Sequence, residues 1–143
     1  MERLSSAKAY IQLALSVLGG WIAKGMGGWD SALGCLLLFI SLDYVTGTLV
    51  AAVFRGSKKT DTGALSSAAG FKGICKKLAV LFLVAVAHAM DTLTGSGIIR
   101  NACVLFFIGN EGISILENIG LMGVPLPGKL KEALDILKSG GNN

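Results

Sequence analysis

The sequence predicts an all-α integral membrane protein with three to four transmembrane helices and a short C-terminal amphipathic helix. Three observations predict it. Apolar residues fill 52% of the 143 positions and charged residues only 15%, where a soluble domain carries about 25% charged residues. The apolar residues gather into runs of roughly 20, the length a spanning helix needs. The Lys and Arg residues cluster beside those runs, so the net charge of +4 argues for membrane topology and against nucleic acid as a partner. Backbone groups in lipid must bond within their own segment, and the runs show no period-2 alternation, so they are helices and not strands. The length suits a single domain, residues 1–143.

The first segment, about residues 7–23, is "AKAYIQLALSVLGGWIA". It is the shortest, and Gln12 and Ser16 interrupt it, so it either spans or lies at the interface. No small-x-small cleavage site follows it, and it is expected to stay in the mature protein. The second segment, about 32–54, and the third, about 78–98, are long enough to span. The fourth, about 102–124, is equally long and contains the polar stretch "IGNEGISILENIG". Twenty glycines against two prolines suit closely packed transmembrane helices.

Between the second and third segments, residues 55–77 carry Arg55, Lys58, Lys59, Lys72, Lys76 and Lys77 against one acid, Asp61. These six are expected to form a cytoplasmic basic anchor, because short loops rich in Lys and Arg stay inside. With four spans both termini are cytoplasmic, and eleven of the thirteen basic residues lie on that side. If the first segment does not span, the N-terminus moves outside and the basic loop stays in. The tail, residues 125–143, follows Pro125 and Pro127. It places Leu130, Leu134 and Leu137 on one helical face and Lys131, Glu132, Asp135 and Lys138 on the rest.

Charged residues at the centre of a spanning helix cost about 2.5–3.5 kcal/mol each on the insertion scale, so they should face other helices or water. At 100° per residue, Asn110, Glu111, Ser114, Glu117 and Asn118 fall within an arc of about 120°. The third segment aligns His88, Asp91, Thr92 and Gly95 on one side, and the second aligns Asp43 with Thr46 and Gly47. Gly47 and Ala51 form a small-xxx-small pair suited to close helix packing. Three roles stand open for the polar residues: glue between helices, the lining of a shared aqueous pore, or a proton relay with His88 and Asp91 as carriers.

Catalysis is not supported. His88 is the single histidine, no nucleophile stands in a recognisable motif, and "GNEG" and "GMGG" are not dinucleotide fingerprints. No cofactor is implied. Cys35, Cys75 and Cys103 are odd in number and lack metal-ligand spacing, so they read as passive thiols.

Four stretches carry a family likeness: "LDYVTG" at 42–47, "SSAAGFKGICKK" at 66–77, "HAMD" at 88–91 and "GNEGISILENIGLMGVPLPGKLKEAL" at 109–134. Together they resemble the phage holin family that includes toxin-secretion holins, over roughly residues 33–137. The "NEGISILEN" segment followed by G-x-P-x-P is the most specific part. The resemblance implies a small protein of the bacterial inner membrane that accumulates harmlessly. It then assembles as a homo-oligomer into lesions that release endolysin or help export a toxin. The family pattern falls on Asp43, Gly47, Gly73, Lys77, Asp91, Asn110, Glu111, Ser114, Glu117 and Asn118, with no catalytic role implied. On this reading Glu111 and Glu117 lie at helix contacts at or near the lining of an oligomeric pore. Two rivals remain: a small ion or proton channel without lytic role, and a membrane adaptor that recruits a partner through the basic loop and tail.

Overall fold

The computed structural model describes residues 2–130 and 132, with side chains from residue 6 onward. The described residues form four helices and no strand: α1 (Glu2–Gly25), α2 (Ser31–Leu49), α3 (Ser67–Thr94) and α4 (Ile99–Leu121). A π-helical turn, Val50–Phe54, continues α2 to the start of the basic loop. Residues 128–130 are helical, while Lys131, Leu134, Asp135, Leu137 and Lys138 of the expected amphipathic tail lie outside the described residues.

Local chemistry sets the helix ends. Asp30 caps α2 by accepting the Leu33 amide at 2.8 Å, and Ser66 caps α3 by accepting the Ala69 amide at 3.4 Å. Because Ser66 starts α3, that helix begins well before the apolar run at Leu78. Lys72, Lys76 and Lys77, expected in the loop 55–77, are therefore helical. The helix ends at Thr94, so residues 95–98 of the expected third segment form a turn instead.

Among the described residues, three helices are long and apolar enough to cross a membrane: Ser31–Phe54, Ser67–Thr94 and Ile99–Leu121. α1 is not among them, although it runs for 24 residues. Its charged and polar residues, from Glu2, Arg3 and Lys8 to Gln12, Ser16 and Lys24, dilute its apolar ones. Along α1 nearly every described side chain is exposed, including Tyr10, Leu13, Val17 and Trp21.

α4 is the central helix, packed against both α2 and α3, whereas α2 and α3 touch each other little. The apolar core joins Leu33 and Leu36 of α2, Val84 of α3 and Val104 of α4, with Met26 closing one end. The outward faces carry Leu38, Phe82, Val86 and Phe106, all exposed. That surface suits a lipid solvent, which removes the penalty water would impose on it.

The basic loop is folded back on itself. The Ser57 amide donates to Gly63 O at 3.1 Å, and the Thr60 hydroxyl donates to Ala64 O at 2.9 Å. Gly63 has φ +68°, and a Cβ there would collide with the Arg55 carbonyl oxygen. Gly63→Ala is expected to cost at least about 1–2 kcal/mol from the left-handed backbone alone, and the clash adds to it. Proteolysis within residues 55–66 checks this, with faster cleavage expected in the variant.

Candidate functional site

The polar residues of the three apolar helices meet at two places. The first lies midway along the bundle. Asp43 is the thirteenth residue of the span Ser31–Phe54, and Glu111 is the thirteenth of Ile99–Leu121. Both are buried, at 5% and 6% exposure. Between them sits the Lys77 ammonium, 2.7 Å from Asp43 Oδ2 and 2.5 Å from Glu111 Oε2. One cation thus ties α2, α3 and α4 together.

This corrects the expected role of Lys77. It is ten residues inside α3, about 15 Å from the helix start at 1.5 Å per residue, and is not an interfacial anchor. The reason is chemical. Two carboxylates buried between apolar helices need a counter-charge, and α3 supplies it from the one lysine that faces α2 and α4. Arg55, Lys58, Lys59, Lys72 and Lys76 are exposed and remain surface residues.

Asn118 completes the cluster. Its Nδ2 donates to Asp43 Oδ1 and to Thr46 Oγ1, both at 3.0 Å. Thr46 in turn donates to Leu42 O one turn back, at 2.8 Å. Asp43, Thr46, Glu111 and Asn118 are thus brought together. Of the other residues of the α4 arc, Ser114 and Glu117 are half-buried and Asn110 is exposed. An arc of about 120° is wider than the contact it makes, so part of it faces away from the bundle. Gly47 sits beside the cluster, where a Cβ would lie 3.5 Å from Asn118 Nδ2 and 3.8 Å from Lys59 Nζ. Ala51 is buried one turn further on.

The second place is the end of the bundle where the α1–α2 and α3–α4 turns meet, and only part of it was visible in the sequence. Asp91 does not join His88 in a relay. Its Oδ1 accepts the Ser96 hydroxyl and the Ile99 amide, and its Oδ2 accepts the Arg100 amide at 2.8 Å. The carboxylate therefore caps α4, where the helix dipole favours negative charge. His88 is half-buried near the α1–α2 turn, its Nδ1 3.1 Å from where a Cβ on Gly27 would stand. Thr92 donates to the His88 carbonyl at 3.0 Å.

Arg100 was missed as a site residue. It is 6% exposed and holds the α1–α2 turn: Nε donates to Met26 O at 2.6 Å, and Nη1 pairs with Asp30 Oδ2 at 2.5 Å. Gly27, at φ +93°, leaves room for the guanidinium, because a Cβ there would stand 2.7 Å from Nε. The Arg100 hydrogen bond, then the Leu33 amide, hold the Asp30 carboxyl below its ordinary range. A lowered carboxylate adds stability above its unfolded pKa and loses it as pH falls through the folded one. This knot is therefore expected to loosen only in acid, which a pH series of thermal melts checks. The cue in the sequence was Asp30 two residues before the apolar run that starts at 32, a capping position; nothing paired it with an arginine 70 residues on.

No group of His, Cys, Asp and Glu among the described residues could hold a metal ion. The three cysteines are free thiols. Among the described residues every buried side-chain nitrogen and oxygen has a hydrogen-bond partner, so one chain satisfies its own polar interior.

Comparison with known proteins adds to this geometry. Residues 20–139 match the sequence profile of the bacteriophage holin family. The chain is 42% identical to an uncharacterised 14.9 kDa protein in the nagH 3′ region of Clostridium perfringens, covering 91% of this chain and 94% of that one. An uncharacterised protein of Listeria innocua is 40% identical, with 91% of each chain covered. A protein of Bacillus phage phi105 named a probable holin is 32% identical over 75% of this chain and 74% of its own. No solved structure matches the chain significantly.

Proposed function

The chain belongs to the bacteriophage holin family, and from that membership we propose that it assembles in the bacterial inner membrane into a homo-oligomeric lesion that releases endolysin or exports a toxin. The observation that carries this reading is the Asp43–Lys77–Glu111 cluster with Asn118. A holin must first disperse without harm. A bundle that neutralises and bonds its polar interior within one chain can do so, because it offers lipid an apolar surface. It must later open. The same carboxylates and amides can exchange their partners for groups on a neighbouring copy, or for water in a shared lumen, at little net loss of hydrogen bonds. Polar groups at mid-span thus serve both states, as helix glue and as lining.

In this proposal the basic loop and the C-terminal tail face the cytoplasm. With three spans the N-terminus lies outside, and with four it lies inside. Glu111 and Glu117, with Ser114 between them, place the polar side of α4 at or near the lumen. Replacing both glutamates with Gln removes one ionic partner of Lys77 and weakens the dispersed form. Lysis is then expected earlier after induction than with the wild-type chain, and unchanged timing at equal expression would count against the proposed role.

The test is inducible expression in a bacterium, reading a membrane-potential dye and turbidity together, with and without a cytoplasmic muralytic enzyme. Abrupt depolarisation, with lysis only when the enzyme is present, is expected. Confirmed insertion without depolarisation would overturn the proposal.

A further inference from the structure

The weak contact between α2 and α3 leaves a seam with two ends of different chemistry. At the loop end a cleft of about 60 Å³ runs between Gly47 of α2 and Ala51 of the π-helical turn on one side and Gly70 and Gly73 of α3 on the other, under Ser57 and Lys59. Deeper along the same helices an open groove of about 320 Å³ is lined by Ile40, Val45, Ile74, Leu78 and Leu81. Tyr44 and Lys77 line both, so cleft and groove are consecutive stretches of one seam. From Ala51 to Ile40 the seam follows α2 for eleven residues, about 16 Å at 1.5 Å each.

We propose that this seam binds one anionic phospholipid, its phosphate at Lys59 beside the basic loop and one acyl chain along the groove between α2 and α3. Four observations select that occupant. Lys59, although exposed, extends toward the cleft, its Nζ 3.8 Å from where a Cβ on Gly47 would stand. Ser57 Oγ accepts the Lys59 amide at 3.2 Å and keeps its own proton to donate to a phosphate oxygen. Arg55 and Lys58, both exposed, share the loop with Lys59 and face only one acid there, Asp61. Basic openings between transmembrane helices select anionic headgroups in this way. Finally, the cleft at the loop end holds only about 60 Å³. A helix from a second copy is about 10–12 Å across with its side chains and enters only if α2 and α3 part, breaking the Lys77 bridge. A single alkyl chain enters without moving either helix. The site is independent of whether the chain forms lesions.

The test is native mass spectrometry of the full chain, delipidated in detergent, with added phosphatidylglycerol or phosphatidylcholine of identical chains. One phosphatidylglycerol is expected to stay bound in preference to phosphatidylcholine. Lys59→Gln should lower that preference about fivefold, the effect of one lysine at a lipid headgroup, while Lys72→Gln, on the exposed face of α3, should change it little. Leu78→Trp fills the groove and should reduce binding of both lipids, with helix content unchanged by circular dichroism. Inorganic phosphate should not compete, since it lacks the chain. Equal binding of the two lipids overturns the proposal, as does an equal effect of Lys59→Gln and Lys72→Gln. So does a Leu78→Trp chain that keeps its lipid but changes its oligomer distribution, which would make the groove a contact between copies.

Discussion

Lys77→Met is expected to be the most damaging single substitution in the chain. The methionine keeps most of the apolar stem and removes the ammonium that lies within 2.7 Å of both Asp43 and Glu111. Two buried carboxylates then face each other with no cation. Removing one partner of a buried ion pair costs about 3–5 kcal/mol, and here one ammonium serves two carboxylates. Thermal unfolding in detergent, followed by helix signal, should show a large fall in midpoint or no folded protein at all. Adding Asp43→Asn and Glu111→Gln to Lys77→Met removes the stranded charges and should recover much of the loss, since a neutral replacement of a whole buried ionic cluster is often nearly neutral in stability. That recovery distinguishes an electrostatic lock from simple packing. A Lys77→Met chain that melts like the wild type would show that the bundle does not depend on the cluster.

Arg100→Met is expected to have the second-largest effect, at the end of the bundle that carries the α1–α2 turn. It leaves the Met26 carbonyl without its 2.6 Å donor and Asp30 without its cation. An orphaned buried acceptor costs about 1–3 kcal/mol. The half-exposed Asp30 adds less, because water partly replaces the arginine. The consequence should be local. α1 meets the rest of the bundle weakly, and the Arg100 knot holds the turn that joins it to α2. Protease should then cut within "GMGGWD" at residues 25–30 far faster than in the wild type, while α2, α3 and α4 stay protected. Loss of protection throughout would show that the knot supports the whole bundle and not just the turn.

The helical membrane class was legible in composition and run length, because a lipid environment leaves few other solutions for long apolar runs. So was the polar character of α4, since helical periodicity fixes the angular positions of Asn110, Glu111, Ser114, Glu117 and Asn118. Periodicity does not say which part of an arc meets a neighbour. Glu111 meets Lys77 of α3 and Asn118 meets Asp43 of α2, whereas Asn110 is exposed. Lys77 was misplaced because apolar runs mark hydrocarbon and not helix ends. The Ser66 cap starts α3 eleven residues before Leu78, which carries the lysine into the bundle. The i, i+3 spacing of His88 and Asp91 put them on one face, but the turn at residues 95–98 brings the α4 amides to the Asp91 carboxylate. The Asp30–Arg100 pair joins residues 70 positions apart, and no local pattern reports such a contact.

The most direct measurement is release from vesicles. The purified full chain is added at rising density to vesicles that hold a small dye together with a folded enzyme. Silence at low density is expected, then a sharp threshold above which dye and enzyme escape together, as self-sufficient bundles assemble into a wide lesion. Dye escaping at every density while the enzyme stays behind would contradict it and point to a small-solute channel. Confirmed insertion with no release of either would contradict it as well and favour a membrane adaptor.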